Sequence, residues 1–395
     1  MRNPVPLRWV VIGVFVLSSA LNYLDRQILA ALAPLLREEF HLSSAGYGWV
    51  LTSFSIAYAA CSPLAGLLID RFGLNRGISA GVGLWSLAGV ATGFVRSLPG
   101  LLTCRAVLGA AESSGVPAVG KALHKYLPAK ERALGNALSQ IGLSVGSILA
   151  PPLATLMALR YGWRSAFVFT GLLGFCWIPL WRWVSRKAPE VEPSRVQVKA
   201  FRPLLADRRL WGFVAANIVS MPVYTLWTNW TTLYLKDVQG LTLVKANLLV
   251  PVPNFFAYAG GLAGGWLSLR WISSGSEPLA ARRRACLVSA AALLATAAVP
   301  LMPAPGWAIL AISLSFFSIA AWSVNLYTMP LDAFGGERAA FSVSLLTGAY
   351  GAMQALISPL IGGMIDNYGY TPVFLIVAVT PAAAYGILHL TRQPR

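Results

Sequence analysis

The sequence predicts an all-α integral membrane protein of twelve transmembrane helices, arranged as two pseudo-symmetric six-helix bundles with both termini cytoplasmic. Three observations lead there. Hydrophobic residues make up 56% of the 395 positions and charged residues only 11%, so apolar stretches long enough to cross a bilayer recur along the chain. Breaks of charge, Gly and Pro cut these stretches into six, then a polar segment, then six more. Basic residues gather on one side of the resulting topology.

In chain order the predicted spans are 8–36, 45–69, 77–95, 98–121, 132–159 and 163–184, then 209–235, 243–269, 284–303, 306–330, 339–364 and 370–391. Arg2 and Arg8 before the first apolar run suit a secretory leader, but the run is long and further spans follow, so it reads as the first span. Residues 185–208, SRKAPEVEPSRVQVKAFRPLLADR, form a cytoplasmic linker between bundles 1–184 and 209–395.

With the N-terminus in the cytoplasm, Arg37, Arg96, Arg160, Arg164, Lys236 and Lys245 fall on the far side. Arg26 and Arg105 fall inside spans, and the other 23 of the 31 basic residues are cytoplasmic. That is the positive-inside asymmetry. It also explains the net charge of +17 by anionic lipid rather than nucleic acid.

The halves resemble each other. PLATLMALRYGWRSAF (152–167) matches PLIGGMIDNYGYTPVF (359–374) at Pro, Leu, Met, Tyr, Gly and Phe. Upstream, Glu131-Arg132-Ala133 pairs with Glu337-Arg338-Ala339, and Gly142 with Gly348. A repeat of about 200 residues in one orientation implies two halves related by an axis along the membrane normal, with a substrate site between them near mid-membrane.

Four scattered cysteines and three distant histidines suggest neither a disulfide frame nor a metal site. GVPAVGKA (115–122) nearly fits a phosphate-binding loop, but Ala122 stands where magnesium needs Ser or Thr, and no strand precedes it. An ATP-driven pump is rejected, and no nucleophile–base constellation suggests an enzyme. No cofactor is expected, and the expected form is a monomer.

Residues 66–77, GLLIDRFGLNRG, resemble the loop signature of the major facilitator superfamily. Gly66 would let helices approach, Asp70 would cap or pair across a gate, and Gly73 would allow a tight turn. Arg71, Arg76, Glu131 and Arg132 complete the expected gating set.

A more specific resemblance lies in LNYLDRQIL (21–29), SIAYAA (55–60), CRAVLGAAESSGVPAVGKAL (104–123) and PAKERALGNALSQIGLSVGSILAP (128–151). Together these are similar to the anion:cation symporter family, which includes bacterial hexuronate and galactonate transporters, sialin and the vesicular glutamate carriers. The similarity covers nearly the whole first half and 331–374. The family's first-helix Tyr-x-Asp-Arg falls on Tyr23, Asp25 and Arg26, its second-helix tyrosine on Tyr58, and its fourth-helix Arg and Glu on Arg105 and Glu112. The resemblance implies that Asp25 and Glu112 are the titrating pair. Gln140, within the last motif, joins the expected substrate contacts.

The physics of these residues agrees. A charge at mid-bilayer costs a few kcal/mol or more, so Asp25 and Arg26 should face a wet cavity rather than lipid. Arg105 and Glu112 are two helical turns apart, about 10.5 Å along one face. Burial disfavours an ionised carboxyl and a neighbouring Arg favours it. Glu112 has no Arg one turn away and is expected to protonate more easily than Asp25, which has Arg26 beside it and Arg105 as a candidate partner opposite. Pairing among these four charges to fix helix packing is the competing reading.

No Asp, Glu, Lys or Arg lies well inside a second-half span before Asp366, at a span end. Polar and aromatic residues stand in: Trp227, Asn229, Asn254, Trp322, Asn325, Tyr350 and Gln354 are candidate contacts for the hydroxyls and ring faces of a sugar acid. Interfacial or packing roles compete with that reading.

The expected function is a proton-coupled symporter in the inner membrane, importing a small organic anion such as a hexuronate or aldonate. Its expected partners are that anion, protons and the lipid bilayer. The alternatives are an exporter of an amphiphilic compound or lipid, and a non-transporting membrane sensor on the same fold.

Overall fold

The computed structural model describes residues 7–128, 131–187 and 202–391, nearly all of them helical. The helices are α1 (Leu7–Ala31), α2 (Ala33–Glu39), α3 (Ser44–Phe72), α4 (Leu74–Thr92), α5 (Leu98–Glu112), α6 (Gly115–Tyr126), α7 (Arg132–Tyr161) and α8 (Trp163–Ser185). After α9 (Arg202–Leu205) come α10 (Arg208–Ser220), α11 (Pro222–Asp237), α12 (Leu243–Leu249), α13 (Pro251–Ser273) and α14 (Pro278–Leu293). A 3-10 stretch (Leu294–Leu301) extends α14, and α15 (Pro305–Phe334), α16 (Gly336–Tyr368) and α17 (Tyr370–Leu390) complete the chain.

Among the described residues eight helical segments are long and apolar enough to cross a membrane by length and composition. Joined across their breaks, the elements make the twelve spans read from the sequence. Four predicted spans are each two helices. Breaks fall at Leu32, Ser113–Ser114, Met221 and Val250, just ahead of Pro34, Pro117, Pro222 and Pro251. Proline has no N–H and its ring clashes with the preceding turn, so the helix bends there. The ninth span begins at Pro278 rather than 284, taking Arg282, Arg283 and Arg284 into the helix. Of the predicted linker, residues 188–201 lie outside the described residues.

The chain forms two compact units, Met1–Leu42 with Trp49–Arg195 and Ser43–Gly48 with Val196–Arg395. In the first, α1 packs along α7 and α8, and α4 along α5 and α8. Its core is mostly aliphatic with an aromatic cluster inside it: Trp177 stacks on Trp181 with ring centres 5.5 Å apart, and Phe15 meets both edge-on. At Gly146 a Cβ would run into the Ala20 carbonyl of α1, so the small residue sets how closely these helices lie.

In the second unit α13 packs along α15, and α10 along α17 and α16. Trp227, Tyr234, Tyr370 and Phe374 form its buried aromatic cluster. The first turn of α3 belongs to this unit. Asp366, the charge at a span end, caps that turn: Oδ1 accepts from the Ser44 N–H at 2.7 Å and Oδ2 from the Ala45 N–H at 2.8 Å. A carboxylate at a helix N-terminus meets both free amides and the positive end of the dipole.

The repeated sequence falls on repeated structure. Gly162 joins α7 to α8 and Gly369 joins α16 to α17, at φ of 81° and 74°. Both sit in the left-handed region that glycine enters without penalty.

Candidate functional site

Six of the predicted residues converge within the N-terminal unit. α1 brings Tyr23, Asp25 and Arg26, α3 brings Tyr58, and α5 brings Arg105 and Glu112. Arg26 Nε donates to Glu112 Oε2 at 2.6 Å, a salt bridge in which the Glu112 side chain is fully shielded and Arg26 is 24% exposed. Aromatic faces surround the guanidinium, with Cζ 4.8 Å from the Tyr58 ring centre, 4.9 Å from Phe54 and 5.4 Å from Tyr23. Arg105 lies over the same Phe54 ring, Cζ at 4.9 Å. A cation against a ring face is attracted by the ring's quadrupole, more strongly when desolvated.

Local sequence explains this placement. Glu112 is the last residue of α5, where the Ser113 and Ser114 hydroxyls fold back onto the Ala110 and Ala111 carbonyls. Gly109 lies between Arg105 and Glu112, and a Cβ there would strike the Phe54 carbonyl. Only a bare Cα lets α5 cross α3 this closely, bringing Arg105 over the Phe54 ring.

The ion pair corrects the expectation for Glu112. Its own helix supplies no base within one turn, but α1 supplies one, Arg26, across 86 positions of sequence. Asp25 is buried with Arg26 turned from it to Glu112; the Thr170 hydroxyl lies against its carboxyl, and Arg105 acts on it through space. Phe54 is a participant that sequence reasoning missed. Its one signal was position, since Phe54 and Tyr58 are four residues apart on one face of α3 and their rings stack at 5.9 Å.

The remaining candidates are dispersed. Gln140 is exposed on α7. Trp227 turns into its own unit, where Nε1 donates to Ser315 Oγ at 2.8 Å, and that hydroxyl lies 2.6 Å from Thr296 Oγ1. Asn229 Nδ2 donates to the Thr225 carbonyl, and its own carbonyl accepts from Tyr47 Oη. Asn325 Nδ2 donates to the Gly264 and Ala321 carbonyls, tying α15 to α13. Trp322 is wholly buried, and Asn254 nearly so. Tyr350 and Gln354 are half-buried on α16, Tyr350 with its ring 6.3 Å edge-on from Tyr224.

Of the gating set, the Asp70 side chain lies outside the described residues. A Cβ at Gly66 would meet, among the described residues, just Pro117 Cβ at 4.0 Å, and Gly73 makes the turn from α3 to α4 at φ 82°. Arg71 and Arg76 are exposed. Glu131 Oε1 accepts from Arg8 Nη2 at 2.8 Å. Arg132 donates to the Leu127 and His124 carbonyls at the end of α6, where a cation suits the helix dipole.

The site thus combines an anion-attracting guanidinium, a shielded carboxyl paired to it, and aromatic walls. Comparison with known proteins gives this a context. Residues 15–345 match the family model of the Major Facilitator Superfamily. The chain is similar to the hexuronate transporter of Escherichia coli (strain K12), 27% identical over 96% of this chain and 92% of that protein. It is also similar to the galacturonate transporter of Dickeya chrysanthemi, 28% identical over 67% of this chain and 82% of that one. Among solved structures, a D-xylose-proton symporter shares the fold with a TM-score of 0.79 at 15% identity, covering 96% of this chain and 97% of its own.

Proposed function

The chain belongs to the Major Facilitator Superfamily, and we propose that it is a proton-coupled symporter importing a sugar acid, a hexuronate or aldonate, by alternating access. It is a multi-pass membrane transporter and not an enzyme. The proposed setting is the inner membrane, with a monomer whose termini are both cytoplasmic. Arg26 anchors the substrate carboxylate, Glu112 is the main coupling carboxyl, and Asp25 assists it.

One observation carries this reading: the base suited to hold the anion is already held, at 2.6 Å, by the buried acid suited to carry the proton. Drawing Arg26 from an ionised Glu112 would leave a buried charge without its partner, at a cost of about 3–5 kcal/mol. A proton on Glu112 removes that cost and releases the guanidinium. Substrate and proton then bind as a unit, because each favours the state the other needs. The cycle runs as protonation from outside, anion binding at Arg26, rocking of the two halves, and loss of the proton and substrate to the cytoplasm. Arg26 can grip a carboxylate with two parallel N–H donors, while the Tyr23, Phe54 and Tyr58 rings offer faces to a sugar. Asp70, Arg71, Arg76, Glu131 and Arg132 govern conformational exchange in this scheme.

Hexuronate and galacturonate transporters among the relatives support the substrate class. The test is a thermal-shift screen of purified protein against D-glucuronate, D-galactonate, the matching neutral sugars and amphiphilic compounds, since a ligand stabilises the state that binds it. Sugar acids should raise the melting temperature and neutral sugars should not. Stabilisation by amphiphiles alone would favour the exporter reading instead.

A further inference from the structure

Two of the buried polar atoms in the N-terminal unit that lack a hydrogen bond among the described residues belong to Glu112 and Asn22. Glu112 presents Oε2 to Arg26; its other oxygen, Oε1, is shut off from solvent and makes no hydrogen bond among the described residues. The Asn22 side chain lies against the same carboxyl, and its Nδ2 is likewise shut off without a formed bond. Asn22 is only 8% exposed. It precedes Arg26 by four residues, one turn back on the same face of α1. The helix that delivers a guanidinium to this carboxyl therefore delivers an amide to it as well. Orphaned polar atoms are costly in a protein interior, and here a donor and an acceptor are orphaned together.

We propose that Asn22 is a positioning residue for proton exchange, donating its Nδ2–H to Glu112 Oε1 when Arg26 turns away to a substrate carboxylate. The inference rests on Glu112 as the coupling site and deepens it by naming what holds that carboxyl once its cation is withdrawn. An amide fits the task. It is neutral, so it does not compete with Arg26 for the anion, and it does not titrate, so the proton that moves is carried by Glu112 alone. The charged and titratable groups around Glu112 are Arg26, Asp25 and Tyr23 on α1, Arg105 on its own helix, and Tyr58 of α3 over Arg26. None of these offers a neutral amide donor.

Infrared difference spectroscopy on the purified full-length protein tests this, with D-glucuronate present to draw Arg26 away. Subtracting the Glu112→Gln spectrum isolates the carbonyl stretch of protonated Glu112. Asn22→Leu keeps bulk and removes the donor, while Asn22→Gln keeps an amide on a longer stem. A donor to the ionised form favours ionisation, so its loss should move the titration midpoint of that band upward by about one pH unit. The stretch itself should move to higher frequency as the hydrogen bond is lost. Asn22→Gln should fall between Asn22→Leu and wild type. A midpoint and frequency unchanged in folded Asn22→Leu would overturn the inference. If both move while proton-driven uptake of D-glucuronate keeps its wild-type pH dependence, the Asn22–Glu112 bond stands and the coupling reading of Glu112 fails.

Discussion

In the proposed cycle one guanidinium, that of Arg26, serves both Glu112 and a substrate carboxylate. Three aromatic faces and a carboxylate hold it, a setting that suits a planar, delocalised cation better than an ammonium. Arg26→Lys keeps the charge but loses the fork, and sugar-acid affinity measured by calorimetry should fall about tenfold or more. Arg26→Ala should abolish binding and also destabilise the fold, because it strands Glu112. The double variant Arg26→Ala/Glu112→Gln separates these effects: it should recover melting temperature without recovering binding. Substrate affinity undiminished in Arg26→Ala would remove Arg26 from the site. The charges of this site were legible in the sequence, because Asp25, Arg26, Arg105 and Glu112 stand out in apolar helices. Their pairing was not legible, since it depends on how α1 and α5 approach. Phe54 was invisible for the opposite reason: a phenylalanine in a membrane helix reads as ordinary packing.

At the scale of elements, one glycine and one aspartate carry more than their size. Gly109→Val would press a branched side chain onto the Phe54 backbone, and overpacking of this kind costs about 1–3 kcal/mol. It should lower the melting temperature and, by moving α5 off α3, weaken sugar-acid binding as well. Normal binding in this variant would mean that the α3–α5 crossing does not position Glu112. Asp366 holds two amides of the first turn of α3. Asp366→Ala should cost about 0.5–2 kcal/mol in cap energy and speed hydrogen exchange at the Ser44 and Ala45 amides. Unchanged exchange there would show that the cap does not hold that turn. Helix breaks were only partly legible: Pro222 and Pro251 fall at breaks, while Pro330, Pro359 and Pro381 lie inside helices that run on past them. The destinations of side chains were less so. Trp227 and Asn325 belong to two polar-aromatic runs that read as cavity lining, yet their donors go to Ser315 and Gly264. An apolar helix with polar residues on several faces does not declare which face meets a ligand.

For the whole molecule, the sequence was most informative where the bilayer itself does the selecting. A spanning helix needs about 20 mostly apolar residues, so the twelve spans could be read with small boundary errors. The internal repeat aligns Gly162 with Gly369, and both make turns at positive φ. In the proposed cycle the coupling of proton to substrate is a property of the whole molecule, and it would rest on Glu112 releasing Arg26 only when protonated. Uptake of D-glucuronate into proteoliposomes, with and without an imposed inward proton gradient, tests this most directly in wild type and Glu112→Gln. Glutamine mimics the protonated carboxyl, so the variant should bind and exchange substrate yet fail to concentrate it when the gradient is imposed. Concentrative uptake by Glu112→Gln with undiminished dependence on the gradient would contradict the assignment of Glu112 as the coupling site.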